Sequence, residues 1–447
     1  MRYKSLMGLA LAGTLLAGCD APLDVDPRAA IAADEALNNA RAMAAAVNGM
    51  YDALQVDGLY SRQLVIYPDM YADNLVFSGT FQTDAQVFNR SITSTGGVPL
   101  GPWAASYSGI NQANEVLAAI PNVADLSQAN ATRFRGEALF LRSLHYVNLV
   151  RYFGGVPIIT EPTRTTGDAA AAARPRNTMA EVYALIERDL NEAAGLLPDT
   201  RINGRATMGA AQALLSRVYL EQHKDAQARD MATPVINNGQ YEMTANFADL
   251  WVQQNTQESI FEIQYTITDS NAQAFWLFPA RGGLGGRWGY NPSAGLRSAF
   301  VENDTRAEAT FAREPGSGRF YGTKYFRVDG GDDNVIVLRL AEMYLNRAEA
   351  NTRLGADAAV VRADINVVRQ RAELQPLMET VNTRDALIEA ILQERRVEFA
   401  LEGHRFFDLR RTGRAMEVLG IPEFRLLWPI PEPEMDVNEQ LVQNPGY

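Results

Sequence analysis

The sequence predicts a mostly α-helical protein whose helices stack in tetratricopeptide-like pairs beside a face of loops and short strands. Three observations support this prediction. Helical periodicity recurs in paired segments, alanines occur where paired helices would meet, and two long regions lack periodicity. The chain has 447 residues, of which 47% are hydrophobic, so it is long enough to bury a large core.

The first residues predict export from the cytoplasm. Arg2 and Lys4 precede an apolar run over residues 6–16, which is too short to cross a bilayer as a mature helix. The run leads into Leu-Ala-Gly-Cys at residues 16–19, which is a lipobox. Small residues before a cysteine suit cleavage on the N-terminal side of a lipid-modified thiol.

Lipid attachment at Cys19 divides the chain into three predicted parts. Residues 1–18 are expected to form a lipoprotein signal peptide, and residues 19–35 a flexible tether rich in alanine with two prolines. Residues 36–447 form the globular body. Because Cys19 is the only cysteine, no disulfide can form within the monomer, and acyl chains on its thiol would anchor the protein.

The charge of the chain excludes nucleic acid as a partner. The formal net charge is −12, and it becomes −14 when residues 1–18, with Arg2 and Lys4, are removed. Nucleic-acid phosphates require a basic surface, which this composition does not predict.

The predicted helices follow one another as an amphipathic series. Alanines such as Ala210 and Ala348 would let helices approach closely, and large residues such as Tyr146, Tyr219 and Tyr344 would fill the gaps between pairs. The predicted helices are residues 36–54, 103–120, 131–153, 179–197, 209–222, 340–354, 357–371 and two helices within 384–414 separated at Gly403. Short strands are predicted at 260–265 and 426–430.

The last helical segment contains a charged residue within its apolar stripe. Arg395 occupies that position, so its guanidinium must be buried with a carboxylate or carbonyl partner. Glu394, Glu398 and Glu402 are the candidate partners. Paired glutamates can act as general acid and base, but glutamate and arginine alternating along a helix favour a structural ion-pair network.

The regions without periodicity, 67–102 and 269–321, are where we expect a binding face, because loops on a rigid scaffold usually mediate recognition. Their aromatic rings can stack on sugars or peptide side chains, and their polar groups can hydrogen-bond. The alternative is that the rings cap the core, as we expect for Trp103. The candidate ligand contacts are Asp73, Asn74, Phe77, Phe81, Trp276, Arg281, Trp288 and Tyr290.

Glycines at 282, 283, 285 and 286 lack the pattern of a phosphate-binding loop, so we expect a mobile lid or a close-packed turn there. Motifs for catalysis are also missing from the sequence. His145, His223 and His404 are not spaced as metal ligands, and no Gly-x-Ser-x-Gly motif occurs. We therefore expect a protein that is not an enzyme and that has no catalytic residues, metal or cofactor.

Several blocks resemble the SusD/RagB family of outer-membrane nutrient-binding lipoproteins, and they occur in the order typical of that family. The terminal block ERRVEFALEGHRFFDLRRTGR is similar to the family's C-terminal core segment. The other blocks are GEALFLRSLHYVNLVRYFGGVPIIT, GRATMGAAQALLSRVYL, ESIFEIQY, LRLAEMYLNRAEANTRLG and LLWPIPEPEMDVNEQLVQNPGY, with weaker matches at NGMYDAL and INQANEVLAAIP.

The resemblance implies a single SusD-like unit over 36–447, with an N-terminal part at 36–225 and a C-terminal RagB/SusD part at 255–447. It implies four tetratricopeptide-like helix pairs on one side and a loop-rich, ligand-holding face on the other. It also implies a surface-exposed lipoprotein of the outer membrane that binds an oligosaccharide or peptide. Such a protein works as a hinged lid on a SusC-like TonB-dependent transporter. Two alternatives remain, an envelope scaffold and a lipid-anchored enzyme acting on glycans.

Overall fold

The computed structural model describes residues 37–280 and 285–447. The predicted lipidation site Cys19 and the ligand candidate Arg281 lie outside the described residues. Within these residues the protein is mostly helical, as the sequence predicts, and its strands are short. No helix in this part of the chain combines the length and the apolar character needed to cross a membrane.

The elements are numbered in chain order. Helices α1 to α19 are Ala40–Asp52, Gln63–Tyr71, Gln82–Phe88, Gly97–Ala119, Gln128–Phe153, Thr166–Ala172, Met179–Leu196, Met208–Glu221, Asp225–Asn237, Asp249–Val252, Gln273–Leu277, Ala294–Arg297, Arg306–Thr310, Leu340–Arg353, Ala358–Arg371, Arg384–Glu398, Arg405–Arg411, Ala415–Leu419 and Glu432–Val437. Strands β1 to β6 are Leu75–Phe77, Ser259–Ile263, Tyr290–Pro292, Phe311–Arg313, Phe320–Gly322 and Val335–Arg339.

The longer helices form a stack in which each contacts the next. The order of contact is α4, α5, α7, α8, α9, α14, α15 and α16, which gives four successive helix pairs among the described residues. Alanines lie at the contacts, where Ala210, Ala213 and Ala348 have no exposed surface. The small side chains let neighbouring helices pack closely.

Helix boundaries follow local sequence. Thr178 begins α7 with a capping box, in which its side chain accepts a hydrogen bond from the N–H of Glu181 and the Glu181 carboxylate accepts one from the N–H of Thr178. The side chains of Thr207 and Thr383 cap α8 and α16 by accepting one backbone N–H each. Gly154 ends α5 at φ 76°, a conformation that strains other residues.

Ten of the described helices were not predicted from the sequence, and α2 and α9 are the two longest of them. Every residue of α2 is buried, so its sequence lacks the polar face that periodicity requires. Helix α9 contains Pro234 and buries only Ala228, Ala232 and Val235. It nonetheless packs between α8 and α14.

Two predicted elements differ from the structure, one in where it begins and one in its type. Helix α4 begins at Gly97, before Trp103, but Trp103 lies in the core with its ring 5.1 Å from that of Phe153. The strand predicted at 426–430 is wrong. Trp428 is buried there, and its N–H donates to the Tyr152 carbonyl at the end of α5, 2.7 Å away, so the segment is tied to a helix end.

The chain leaves the stack after α9 and returns at α14, and we call residues 238–339 the loop-rich insert. Strand β2, in the first part of the insert, pairs antiparallel with β6 at its end, and all residues of both strands are buried. The N–H of Leu340, the first residue of α14, donates to the Glu258 carbonyl at 2.9 Å. The insert is therefore fixed where it joins the stack.

A buried ion network centred on Glu398 binds the insert to the stack. The Glu398 carboxylate has no exposed surface and contacts Arg306 and Arg339 of the insert and Arg371 of α15. Burial alone would raise the pKa of Glu398, but the three guanidinium groups outweigh it and hold the pKa below its usual value. Glu398 is therefore ionised at neutral pH.

Glu394 and Glu402 extend this network. An Oε1 atom of Glu394 lies 2.5 Å from a guanidinium nitrogen of Arg306. The Glu402 carboxylate accepts hydrogen bonds from Lys324 at 2.6 Å and from Arg339 at 2.8 Å. These glutamates are at most 4% exposed in their side chains, so they hold the fold together and do not face solvent.

Arg395 has a different partner from those that the sequence suggests. Its Nε donates to Asp408 of α17 at 2.9 Å, and its Nη1 donates to Asn346 of α14 at 2.8 Å. Burial raises the pKa of Asp408, but Arg395 and Arg411 outweigh it and lower the pKa to about 2. The three glutamates near Arg395 in sequence contact other cations instead.

We expect Glu398→Ala to lower the free energy of unfolding by about 3–5 kcal/mol, because it leaves buried guanidinium groups without their anion. Chemical denaturation of the mature chain measures the loss. Glu389→Ala is the matched control, since Glu389 lies on the same helix with a side chain 64% exposed and a surface ion pair to Arg414. The control should lose less than about 1 kcal/mol. Equal losses in both variants would contradict the role of the network.

Candidate ligand-binding site

The structure brings together the two regions in which the sequence predicts a binding face. Strand β1 pairs antiparallel with β3, placing Phe77 opposite Tyr290. The N–H of Ser78 then donates to the Gly289 carbonyl at 2.8 Å, and the Ser78 hydroxyl donates to the Trp288 carbonyl at 3.0 Å. Residues that are about 200 positions apart in sequence therefore share one surface.

An open cluster of rings lies at this junction, and we call Phe81, Phe275, Trp276 and Arg287 the aromatic platform. The Trp276 ring is half-buried and meets Phe81 and Phe275 edge-on, each at a centroid distance of 5.5 Å. Phe81 is 40% exposed and Phe275 is 44% exposed. The Arg287 guanidinium lies 4.2 Å from the Phe81 ring centre and 5.3 Å from that of Trp276.

Backbone hydrogen bonds fix the two segments of the platform in place. The N–H of Arg287 donates to the Phe275 carbonyl at 2.6 Å, and the N–H of Gly289 donates to the Trp276 carbonyl at 2.8 Å. A side chain at Gly286 would meet the Phe278 carbonyl oxygen at 2.2 Å, so the turn requires glycine. The described end of the predicted glycine cluster is thus a close-packed turn.

A buried polar group supports the platform from below. The Tyr290 hydroxyl donates to Asp84 at 3.0 Å and accepts a hydrogen bond from Arg62 at 2.8 Å. The Tyr290 ring lies 5.6 Å from that of Trp276, and the Arg62 guanidinium lies 5.1 Å from the Trp276 ring centre. Burial, with Asp84 opposing loss of the proton, keeps the pKa of Tyr290 above its usual value. Trp276 therefore packs against side chains that hydrogen bonds hold in place.

Three of the predicted ligand contacts are buried and bind other groups of the protein instead of facing a ligand. Asn74 and Tyr290 have no exposed surface, so neither faces a ligand in this structure. Asn74 donates to Asp69 at 2.6 Å and accepts from Arg396 at 3.1 Å. Trp288 is 9% exposed, and its indole N–H donates to the Phe320 carbonyl at 3.2 Å. These corrections follow from burial, which the loop sequence does not reveal.

Asp73, another predicted ligand contact, forms ion pairs within the protein. Its carboxylate is bound by Arg405 at 2.7 Å and by Arg396 at 2.8 Å. Burial would raise the pKa of Asp73, but Arg405 and Arg396 hold it below the usual value. Of the described candidates, Phe77, Phe81 and Trp276 remain partly exposed at the shared surface.

Arg287 was missed by sequence reasoning. It follows the glycine cluster directly, but only the return of the loop onto Phe275 and Trp276 places its guanidinium over the rings. A half-buried tryptophan and two exposed phenylalanines can stack on the apolar face of a sugar, and the guanidinium can donate hydrogen bonds to its hydroxyls. No group of three or more metal-ligating side chains occurs among the described residues.

Trp288→Ala should lower the free energy of unfolding by about 3 kcal/mol or more, because it empties a buried ring site and leaves the Phe320 carbonyl without its donor. Thermal or denaturant unfolding of the mature chain measures this. Phe275→Ala is the control, because its half-exposed ring should contribute less than about 1 kcal/mol. A fully stable Trp288→Ala protein would return Trp288 to the candidate ligand contacts.

Comparison with known proteins places both parts of the chain in one family. Residues 23–220 match the family model described as "Starch-binding associating with outer membrane", and residues 317–424 match the model of the SusD family. A SusD-like protein of Formosa agariphila is 27% identical over 97% of this chain and 96% of its own. The starch-binding protein SusD of Bacteroides thetaiotaomicron is 25% identical over 72% of this chain and 74% of its own.

Solved structures agree with this assignment. A laminarin-binding SusD-like protein superposes with a TM-score of 0.81 and is 29% identical, over 92% of this chain and all of its own. A SusD superfamily protein of Bacteroides thetaiotaomicron superposes with a TM-score of 0.79 at 26% identity, over 91% of this chain and all of its own. The chain therefore belongs to the SusD/RagB family of glycan-binding proteins associated with the outer membrane.

Proposed function

We propose that this protein binds an oligosaccharide at the aromatic platform and delivers it for uptake across the outer membrane. The observation that supports this most directly is the exposed ring cluster around Trp276, held on a buried base. A shallow platform suits a protein that must release its ligand, because it buries less of the ligand than a deep pocket does. The rings give affinity, and Arg287 gives directional hydrogen bonds.

The family supports a glycan as the ligand class. One family model is described by starch binding, and a structural neighbour at 29% identity is named for laminarin binding. A peptide is the alternative ligand, since aromatic rings also stack on peptide side chains. We propose that the protein is not an enzyme, and that binding leaves the glycan intact.

We further propose that the protein is anchored at the cell surface through lipid on Cys19 and works with a SusC-like TonB-dependent transporter. The lipobox at residues 16–19 and the description of the matching family model support an outer-membrane location. In this proposal the helical stack contacts the transporter, and the loop-rich insert holds the ligand over the pore. Closing of this lid delivers the ligand.

We expect Trp276→Ala to weaken binding of laminarin oligosaccharides by about tenfold or more, because it removes the central stacking surface, and tenfold corresponds to about 1.4 kcal/mol. Titration calorimetry on the mature chain measures the loss. Phe326→Ala is the control, because it also removes a partly exposed ring, and Phe326, which is 37% exposed, lies outside the platform. A variant that folds normally and binds as tightly as wild type would contradict the platform.

A set of different ligands distinguishes glycan binding from peptide binding and shows whether the protein cleaves a glycan. Laminarin and starch oligosaccharides and a mixed peptide digest are titrated in parallel, and each glycan is recovered and sized afterwards. Binding of peptides alone would contradict the glycan assignment. Shortened glycans would favour the lipid-anchored enzyme.

The intact lipoprotein should co-purify with a large TonB-dependent transporter in near-equal amount from solubilised outer membranes of the native organism. Mass spectrometry of the purified complex measures this. Cys19→Ala is the control, and it should be lost from the membrane fraction because it lacks the acyl anchor. Repeated absence of a transporter under inducing conditions would contradict the lid and favour an envelope scaffold.

A further inference from the structure

An open pocket lies away from the aromatic platform. It has a volume of about 280 Å³ and is enclosed by the end of α1, the turn over residues 203–205 and the end of β2. Leu54 and Ile263 give it an apolar wall. The size is that of a small-molecule subsite, and most of the other lining residues carry polar side chains.

The polar lining offers both hydrogen-bond donors and acceptors. Asp52, Asn203 and Asp269 are exposed at the pocket, and their side chains make no hydrogen bond or ion pair to other described residues. The Oε1 atom of Gln55 is buried and also has no hydrogen-bond partner in this part of the chain. An unsatisfied buried acceptor is costly unless water or a ligand supplies the donor.

Arg205 is held as a fixed donor at the same pocket. Its guanidinium lies 4.6 Å from the Tyr51 ring centre and bonds to Glu137 at 3.1 Å. The Tyr51 hydroxyl donates to the same Glu137 carboxylate at 2.7 Å. The guanidinium and ring are thus pre-organised, so a ligand does not have to order them.

Gly204 shapes the wall of the pocket. Its φ is 68°, and a side chain there would meet the Gln264 side chain at 2.6 Å. Gln264 is itself fixed, because its Nε2 donates to Asn255 at 3.0 Å. A larger residue at Gly204 would be strained and would crowd this wall.

The pocket and the platform lie on the same two chain segments. At the pocket, Gln55 donates to the Gln264 carbonyl at 2.5 Å. Further along both segments, the N–H of Ala272 donates to the Ser61 carbonyl at 3.4 Å. The next residue, Arg62, places its guanidinium against the Trp276 ring of the platform. Positions 55 and 62 are seven steps apart along the chain, so their Cα atoms lie within about 25 Å of each other.

We propose that this pocket is a second sugar-binding subsite for the oligosaccharide held at the aromatic platform. This inference rests on the proposed function, because it assumes a glycan ligand. Vicinal hydroxyls of a sugar donate to Asp52, Asp269 and the Gln55 oxygen, while Arg205 donates to a sugar oxygen. The apolar wall contacts the sugar's C–H face. The protein therefore selects chains long enough to reach both sites.

Titration calorimetry tests this with laminarin oligosaccharides of increasing length, from the disaccharide upward. We expect affinity to rise with length in the wild-type mature chain. Asp52→Ala/Asp269→Ala should abolish that rise, weakening the long chains by about tenfold through loss of charge-assisted hydrogen bonds, while leaving the shortest bound chains unaffected. Trp276→Ala should weaken every length.

The control is Asp385→Ala/Asp436→Ala, which removes the same charge from exposed positions outside the pocket. It should retain the wild-type dependence on length. A pocket variant that matches this control at every length would overturn the subsite and leave the platform intact. Binding of no oligosaccharide by wild type would overturn the glycan function and the subsite together. Thermal unfolding of each variant shows that it is folded.

Discussion

The ion pairs of the buried Glu398 carboxylate are the interaction on which the joining of the insert to the stack depends. It joins Arg371 of the helical stack to Arg306 and Arg339 of the loop-rich insert, with no exposed surface on its own side chain. A buried charge is costly alone, so the three arginines and the glutamate require one another. This mutual requirement fixes an irregular insert against a regular stack, and it holds the candidate binding face in position.

Except for α9, the helical stack could be predicted from the sequence because its residues follow a local rule. Apolar spacing predicted helices such as α7 and α8 close to their observed bounds, and the structure shows a threonine cap at the start of each. Helix α2 could not be found this way, because all of its residues are buried and no amphipathic pattern remains. The prediction of a strand at 426–430 was wrong, because a short apolar run can form either a strand or another buried segment.

The candidate site was predictable in location but only partly in its residues. Aromatic content marked both loop regions, and pairing of β1 with β3 brings them together. Burial then separated the candidates. Phe81 and Trp276 remain at the surface, whereas Tyr290 turns inward to Asp84 and supports Trp276 from below. Arg287 depends on the return path of a glycine-rich turn, which follows no spacing rule.

The central claim is that a glycan lies on the rings of the aromatic platform. A crystal structure of the mature chain with a bound laminarin oligosaccharide tests it most directly. The account predicts a sugar ring against the rings of Trp276, Phe81 and Phe275 and within hydrogen-bonding reach of Arg287. A well-ordered oligosaccharide bound elsewhere, with the platform in contact with solvent only, would contradict it.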